Sequence, residues 1–225
     1  MQRRIKKDNN NLNWESQIIH KILRNVTVDV QRMTISTQAM RVVVSFARDL
    51  TLKIVHRAKE LMIISKKRTL QLKTMVSASK IELSGCGELQ KQGIQFGMNA
   101  VESFQTSKDA HKDRSMIPIP RLRASVKQTA LFYAIGKTSI VFLGGLLDYL
   151  LAELLESSSK LANELKQLRI SPRHINLSVG NDKDFLYLFR EKTIAQGGVL
   201  PSCNVSKQFA PQASPFESSH DSQNF

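Results

Sequence analysis

Cysteine is nearly absent. Cys86 and Cys203 are isolated from one another, and neither has a Cys or His at metal-ligand spacing. That excludes a disulfide scaffold and a zinc module, and it reads as two reduced thiols in a non-oxidising compartment. Long apolar runs are lacking as well. The longest, residues 140–147, ends at Asp148 and is too short to span a bilayer. Residues 1–11 are basic and then polar, so no secretory signal is expected there. His20, His56, His111, His174 and His220 are dispersed, with no nucleophile or ligand set beside them. No phosphate-cradling glycine motif, no Gly-Xaa-Ser-Xaa-Gly and no His-Glu-Xaa-Xaa-His occurs. An enzyme has no supporting motif, and neither a metal nor a cofactor is expected. Acidic residues are scarce: 19 Asp and Glu stand against 33 Lys and Arg, a formal charge of +14. The excess asks for an anionic partner: a nucleic acid, an acidic membrane or an acidic protein. Charge alone does not choose among them.

What is present is a repeat. With 225 residues, 41% of them hydrophobic, the chain can bury a core in one or two domains. In residues 140–168, Ile140, Leu143, Leu147, Leu150, Leu154, Leu161, Leu165 and Leu168 recur in steps that place them on one helical face. Asp148, Glu153, Glu156, Lys160 and Glu164 take the other face. A helix of this length far exceeds the average of roughly 11–12 residues. A shift of one hundred positions brings Met40, Val43, Ala47, Leu50, Ile54, Leu61 and Ile64 into the same phase, with Arg57 and Ser157 as matching polar interruptions. One supersecondary unit is used twice. The two apolar stripes are expected to pack across each other, which a basic membrane-surface protein would not need.

Taken in order, residues 1–13 form a basic arm carrying Arg3, Arg4, Lys6 and Lys7, expected to be disordered alone. A helix over 15–25 follows, with Ser16 as its cap. A loop with a short extended piece at 33–35 leads to a long helix over 37–65, capped by Ser36 or Thr37. After the loop of Lys66, Lys67, Arg68 and Thr69 come helices over 71–80 and 87–104, separated at Gly85 and Gly87. Residues 105–116 read as a linker. The second half repeats the order: a basic helix over 121–128, the long helix capped by Thr138 or Ser139, and a short helix opened by Ser171 and Pro172. A further short helix covers 182–190, an extended segment 193–201, and the tail is flexible. The division is thus an arm at 1–13, one unit at 14–104, a linker at 105–116, a second unit at 117–201 and a tail at 202–225, all-α throughout.

Short–long–short helices in tandem resemble two histone folds. In the second half, Arg169-Ile170-Ser171-Pro172-Arg173-His174, Gly180-Asn181-Asp182 and the run from Thr193 to Pro201 resemble the signature of core histone 2A. Leu147-Asp148-Tyr149-Leu150 and Ala152-Glu153 fit it too. The first half is similar to histone 2B at Glu15-Ser16, Ser36 to Met40, Ser45-Phe46, Lys66 to Thr69 and Gly87-Glu88-Leu89, with an apparent two-residue insertion near 84–86. A fused 2B–2A pair resembles the histone doublets of some large double-stranded DNA viruses.

The resemblance implies an intramolecular pseudo-dimer, paired head to tail, whose linker fixes a one-to-one ratio. It implies compaction of viral genomic DNA in nucleosome-like particles, together with a histone 4–histone 3 type partner that is itself a doublet, at two copies of this chain per octamer-like particle. Contact with double-stranded DNA would come from Arg3 and Arg4 in the arm, from Lys66, Lys67, Arg68 and Thr69, and from Arg121, Arg123, Lys127 and Arg169, with Arg169 as a minor-groove wedge. Phosphate contacts do not read sequence, so binding should be largely sequence-independent. Thr193, Ile194, Gln196, Gly197, Gly198, Val199, Leu200 and Pro201 resemble the segment by which histone 2A docks on the histone 3–histone 4 tetramer. Glu88, Asp148, Glu153, Glu156, Asp182 and Asp184 match the nucleosomal acidic patch, weakened here because Lys183 and Phe96 replace acids of the family. Ala124 and Ala134 replace family arginines, and His174 matches a structural histidine. The setting implied is the virion and the host nucleus or viral replication site. The alternative is a regulatory histone-fold transcription factor pair; such pairs need a base-reading third subunit and do not carry the 193–201 run.

Overall fold

The structure, a computed structural model, describes residues 12–27, 33–106, 116–130 and 134–200. The expectations for Arg3, Arg4, Pro201, most of the linker and the tail lie outside the described residues.

The two long helices, α2 (Thr37–Ile64) and α6 (Lys137–Glu164), each run 28 residues and stand one hundred positions apart at both ends. Their stops are alike as well. Lys66 and Lys166 adopt φ of 51° and 55°, the left-handed conformation that turns a chain out of a helix and that glycine fills more easily. The amides of Lys67 and Gln167 then reach back to the carbonyls of Met62 and Ala162. Two lysines thus hold a conformation costing roughly 1–2 kcal/mol each, at the places where the sequence puts its basic loops.

With α2 the first half holds α1 (Leu12–Val26), α3 (Leu72–Glu82) and α4 (Glu88–Thr106); with α6 the second holds α5 (Ile119–Ala130), α7 (Pro172–Asn181) and α8 (Lys183–Phe189). The halves join head to tail. β1 (Thr34–Ile35), before α2, pairs in parallel with β4 (Arg169–Ile170), after α6. β2 (Thr69–Leu70), after α2, pairs in parallel with β3 (Ala134–Ile135), before α6. The loops expected from the sequence therefore contain four two-residue strands, and the described chain is helical apart from these two bridges, the connecting turns and the segment after α8.

The apolar stripes merge into one core spanning both halves. α6 does not show two faces. From Ser139 to Asp148 every residue is buried, because α4 lies along it as a third layer and is its most extensive partner, ahead of α2. Two glycines allow that approach: a Cβ on Gly97 would fall 2.8 Å from the Phe142 ring, and one on Gly145 would fall 2.8 Å from the Ala100 Cβ. α6 is long and apolar enough to cross a membrane by composition, yet its apolar surface is spent inside this core.

Several sequence-based boundaries shift. α1 begins at Leu12, so Ser16 is inside it rather than capping it. Ser36 caps α2, its hydroxyl accepting the Ala39 amide at 3.2 Å. Neither Thr138 nor Ser139 caps α6, which starts after Gly136; Ser139 instead donates to the Leu70 carbonyl of the other half. Leu165 and Leu168 fall past the end of α6 and are about half exposed.

Candidate nucleic-acid interface

Each parallel bridge brings a helix N-terminus against a basic loop. At the first, Gly136 donates its amide to the Leu70 carbonyl at 3.0 Å, which sets the start of α6 beside Lys66, Lys67, Arg68 and Thr69, all exposed. Gly136 offers no side-chain cap, so the first-turn amides of α6 stay available as donors at the positive end of the helix dipole. Arg123 of α5 reaches the same bridge, donating to the Ile135 carbonyl at 3.3 Å. Arg121 and Lys127 on α5 are exposed.

At the second bridge, Ser36 donates its amide to the Ile170 carbonyl at 2.9 Å, holding the start of α2 against Arg169. Thr34 donates its amide and its hydroxyl to the Leu168 carbonyl. Arg169 pairs through its backbone, so its exposed side chain is left free to extend. The loop is braced from beneath by His174, which is buried. Its Nδ1 accepts the Ser171 amide at 3.1 Å, opening α7, and the ring also bonds the Arg169 backbone.

Burial holds the His174 pKa below its ordinary 6.5, against a smaller upward pull from the Arg169 backbone bond. The native pKa is thus below the unfolded one. Stability is complete above about 6.5 and falls as pH drops below it, because the unfolded chain takes the proton first. Urea unfolding at stepped pH should show this loss, and His174→Gln should flatten the curve just below 6.5; an equally steep curve in the variant would assign the loss to other groups.

The cations around the bridges carry uncompensated charge. Among the described residues, Lys66, Lys67, Arg68, Arg121, Arg123, Lys127 and Arg169 make no ion pair with a carboxylate. Some cations elsewhere are paired, among them Arg48 with Glu15 at 2.6 Å, Arg57 with Glu82 at 2.8 Å and Lys160 with Glu156 at 2.6 Å. Lys166 joins the free set at the second bridge. The sequence reading missed it, although the offset of one hundred from Lys66 was the signal that identifies it.

The segment from Thr193 to Leu200 lies back on α7. Arg173 donates to the Gly197 and Val199 carbonyls at 3.1 and 2.6 Å, and Asn176 to the Gly197 and Gly198 carbonyls at 3.1 and 2.9 Å. Gly198 has φ 69°, which favours glycine, while Leu200 packs onto Gly180. Val199 is left 87% exposed, the largest fraction among the exposed large apolar side chains.

The six acids do not form one open face. Asp148 is the correction: it is buried and accepts the Met116 amide at 2.7 Å, because the chain entering α5 covers that side of α6. Asp182 caps α8 by accepting the Asp184 and Phe185 amides, and Asp184 accepts the Gly87 and Leu89 amides at the start of α4. Burial, with Asp184 and Asp182 nearby, pushes the Cys86 thiol up to about 12. Glu88, Glu153 and Glu156 surround Tyr149, which burial first and these carboxylates second push up to about 12. The Phe96 ring lies 5.8 Å from the Tyr149 ring, centroid to centroid.

The family model for the core histone domain, which spans histones 2A, 2B, 3 and 4, matches residues 97–180, from within α4 to α7. Histone 2A.2 of Scheffersomyces stipitis is 35% identical over 120 residues, covering 53% of this chain and 91% of that protein. Histone 2B.v1 of Dictyostelium discoideum is 28% identical over 192 residues, covering 76% of this chain and 84% of that protein; a match of that breadth reaches into both halves. Among solved structures, the crystal structure of the histone from Methanopyrus kandleri is similar at 16% identity and a TM-score of 0.49, over 74% of this chain and 93% of that one. On its sequence relatives, the chain belongs to the core histone family and carries histone folds of the 2B and 2A types in one polypeptide.

Proposed function

We propose that this chain is a structural, non-catalytic DNA-binding protein that compacts viral genomic DNA into nucleosome-like particles with a histone 4–histone 3 type partner. The observation that carries this is the set of carboxylate-free cations at the two bridges, each beside a helix N-terminus. They would meet phosphates without reading bases, so sequence-neutral binding follows. The segment 193–200, pre-ordered on α7, supports docking on a second histone pair absent from this chain. Two copies per particle, a partner that is also a doublet, and action in the virion, host nucleus or replication site complete the reading. Particles reconstituted from this chain, a histone 3–histone 4 tetramer and mixed-sequence DNA should protect a fragment of defined length from micrococcal nuclease. A smear without a plateau would overturn the proposal.

A further inference from the structure

Residues 184–192 belong to the second half by sequence and pack on α7 there, yet their side chains also reach the first half. Asp184 accepts the Gly87 and Leu89 amides at 3.2 and 3.0 Å. Tyr187 lies so close over the α3–α4 turn that a Cβ on Gly85 would fall 2.2 Å from its ring. Phe189 stacks on Phe46 of α2, with centroids 4.4 Å apart. Glu191 pairs with Lys53 at 2.8 Å and Lys192 pairs with Asp49, both partners on α2. The segment from Thr193 begins immediately after Lys192.

We propose that residues 184–192 form a clasp through which the first histone fold sets the course of the docking segment, with Gly85, Asp49 and Lys53 as positioning residues. The inference rests on reading 193–200 as a docking surface. Arg173 and Asn176 fix the far end of that segment to α7, within the second half. The near end leaves the clasp, so its direction is given by contacts on the first half together with the packing of α8 on α7. Anchored at both ends, the segment meets a partner already ordered, which lowers the entropy lost on binding.

Three full-length variants test this. Gly85→Ala drives a methyl into the Tyr187 ring and lifts α8 without changing a charge or any residue of the segment. Lys192→Asp breaks the pair to Asp49, and Asp49→Lys with Lys192→Asp rebuilds it in the opposite sense. In the free protein, hydrogen exchange at the Lys192 and Gly197 amides, bonded to the Phe189 and Ile194 carbonyls, should accelerate about tenfold in Gly85→Ala and in Lys192→Asp, and return in the double variant, while α6 amides stay protected. Capture of a histone 3–histone 4 tetramer should weaken and recover in the same order, with affinity for mixed-sequence DNA unchanged. If Gly85→Ala does not fold, the charge-swap set decides. Unchanged Gly197 exchange, or no recovery in the double variant, overturns the clasp. A parent chain with the expected exchange pattern that captures no tetramer overturns the docking reading and supports the clasp as a coupling between the halves.

Discussion

Lys67→Glu, Arg68→Glu and Arg169→Glu combined in one chain should lower affinity for mixed-sequence duplex DNA by more than about 100-fold at low salt. The slope of log K against log salt should flatten by roughly 2–3, since each lost phosphate contact removes about 0.9. The loss should be uniform across sequences, as expected when contacts fix position without reading bases. Stability should barely move. None of the three side chains pairs with a carboxylate among the described residues, Arg169 enters its bridge through the backbone, and exposed substitutions of this kind usually stay within about 0.5 kcal/mol. Fluorescence anisotropy over a salt series, beside a urea melt, measures both. An unchanged slope would remove these loops from the DNA face.

Phe142→Ala should destabilise the whole chain by about 3–5 kcal/mol. The side chain is fully buried and fills the notch left by Gly97 where α4 crosses α6, so its removal opens a cavity that closely packed helices cannot collapse. For a chain of this size the melting temperature should fall by roughly 10 °C. The melt should remain one transition, because α6 is packed by α1, α3 and α4 of the first half as well as α5 and α7 of the second. Leu168→Ala, at a residue 54% exposed, is the control and should shift stability by less than about 0.5 kcal/mol. Two transitions, with only one displaced in Phe142→Ala, would show that the halves do not share a core.

Periodicity exposed the repeat because α2 and α6 are long and in phase, and the same offset placed the basic loops. Asp148 shows where that reading stops. Its side of α6 is covered by the chain entering α5, through the Met116 amide, and another side by α4, which approaches through Gly97 and Gly145, residues with no side chain to announce a contact. Ser139 failed as a cap for a related reason, since its hydroxyl is taken by Leu70 of the other half. The α8 contacts were equally hidden: Phe189 on Phe46 and Tyr187 over Gly85 join positions that no local pattern links. Lys166 was legible and passed over, as the counterpart of Lys66.

The parallel bridge between Thr34 and Arg169 has a consequence for synthesis. About 135 residues separate the partners, and at roughly 5–20 residues per second the ribosome needs about 7–27 s to pass from one to the other. During that interval α2 is complete but the strand that closes its first loop does not yet exist, and the apolar stripe facing α6 has nothing to cover it. A nascent chain of this design spends its synthesis half-finished and open to association with other chains or with chaperones. Once the last helices emerge, the two ends of the molecule close together as one unit.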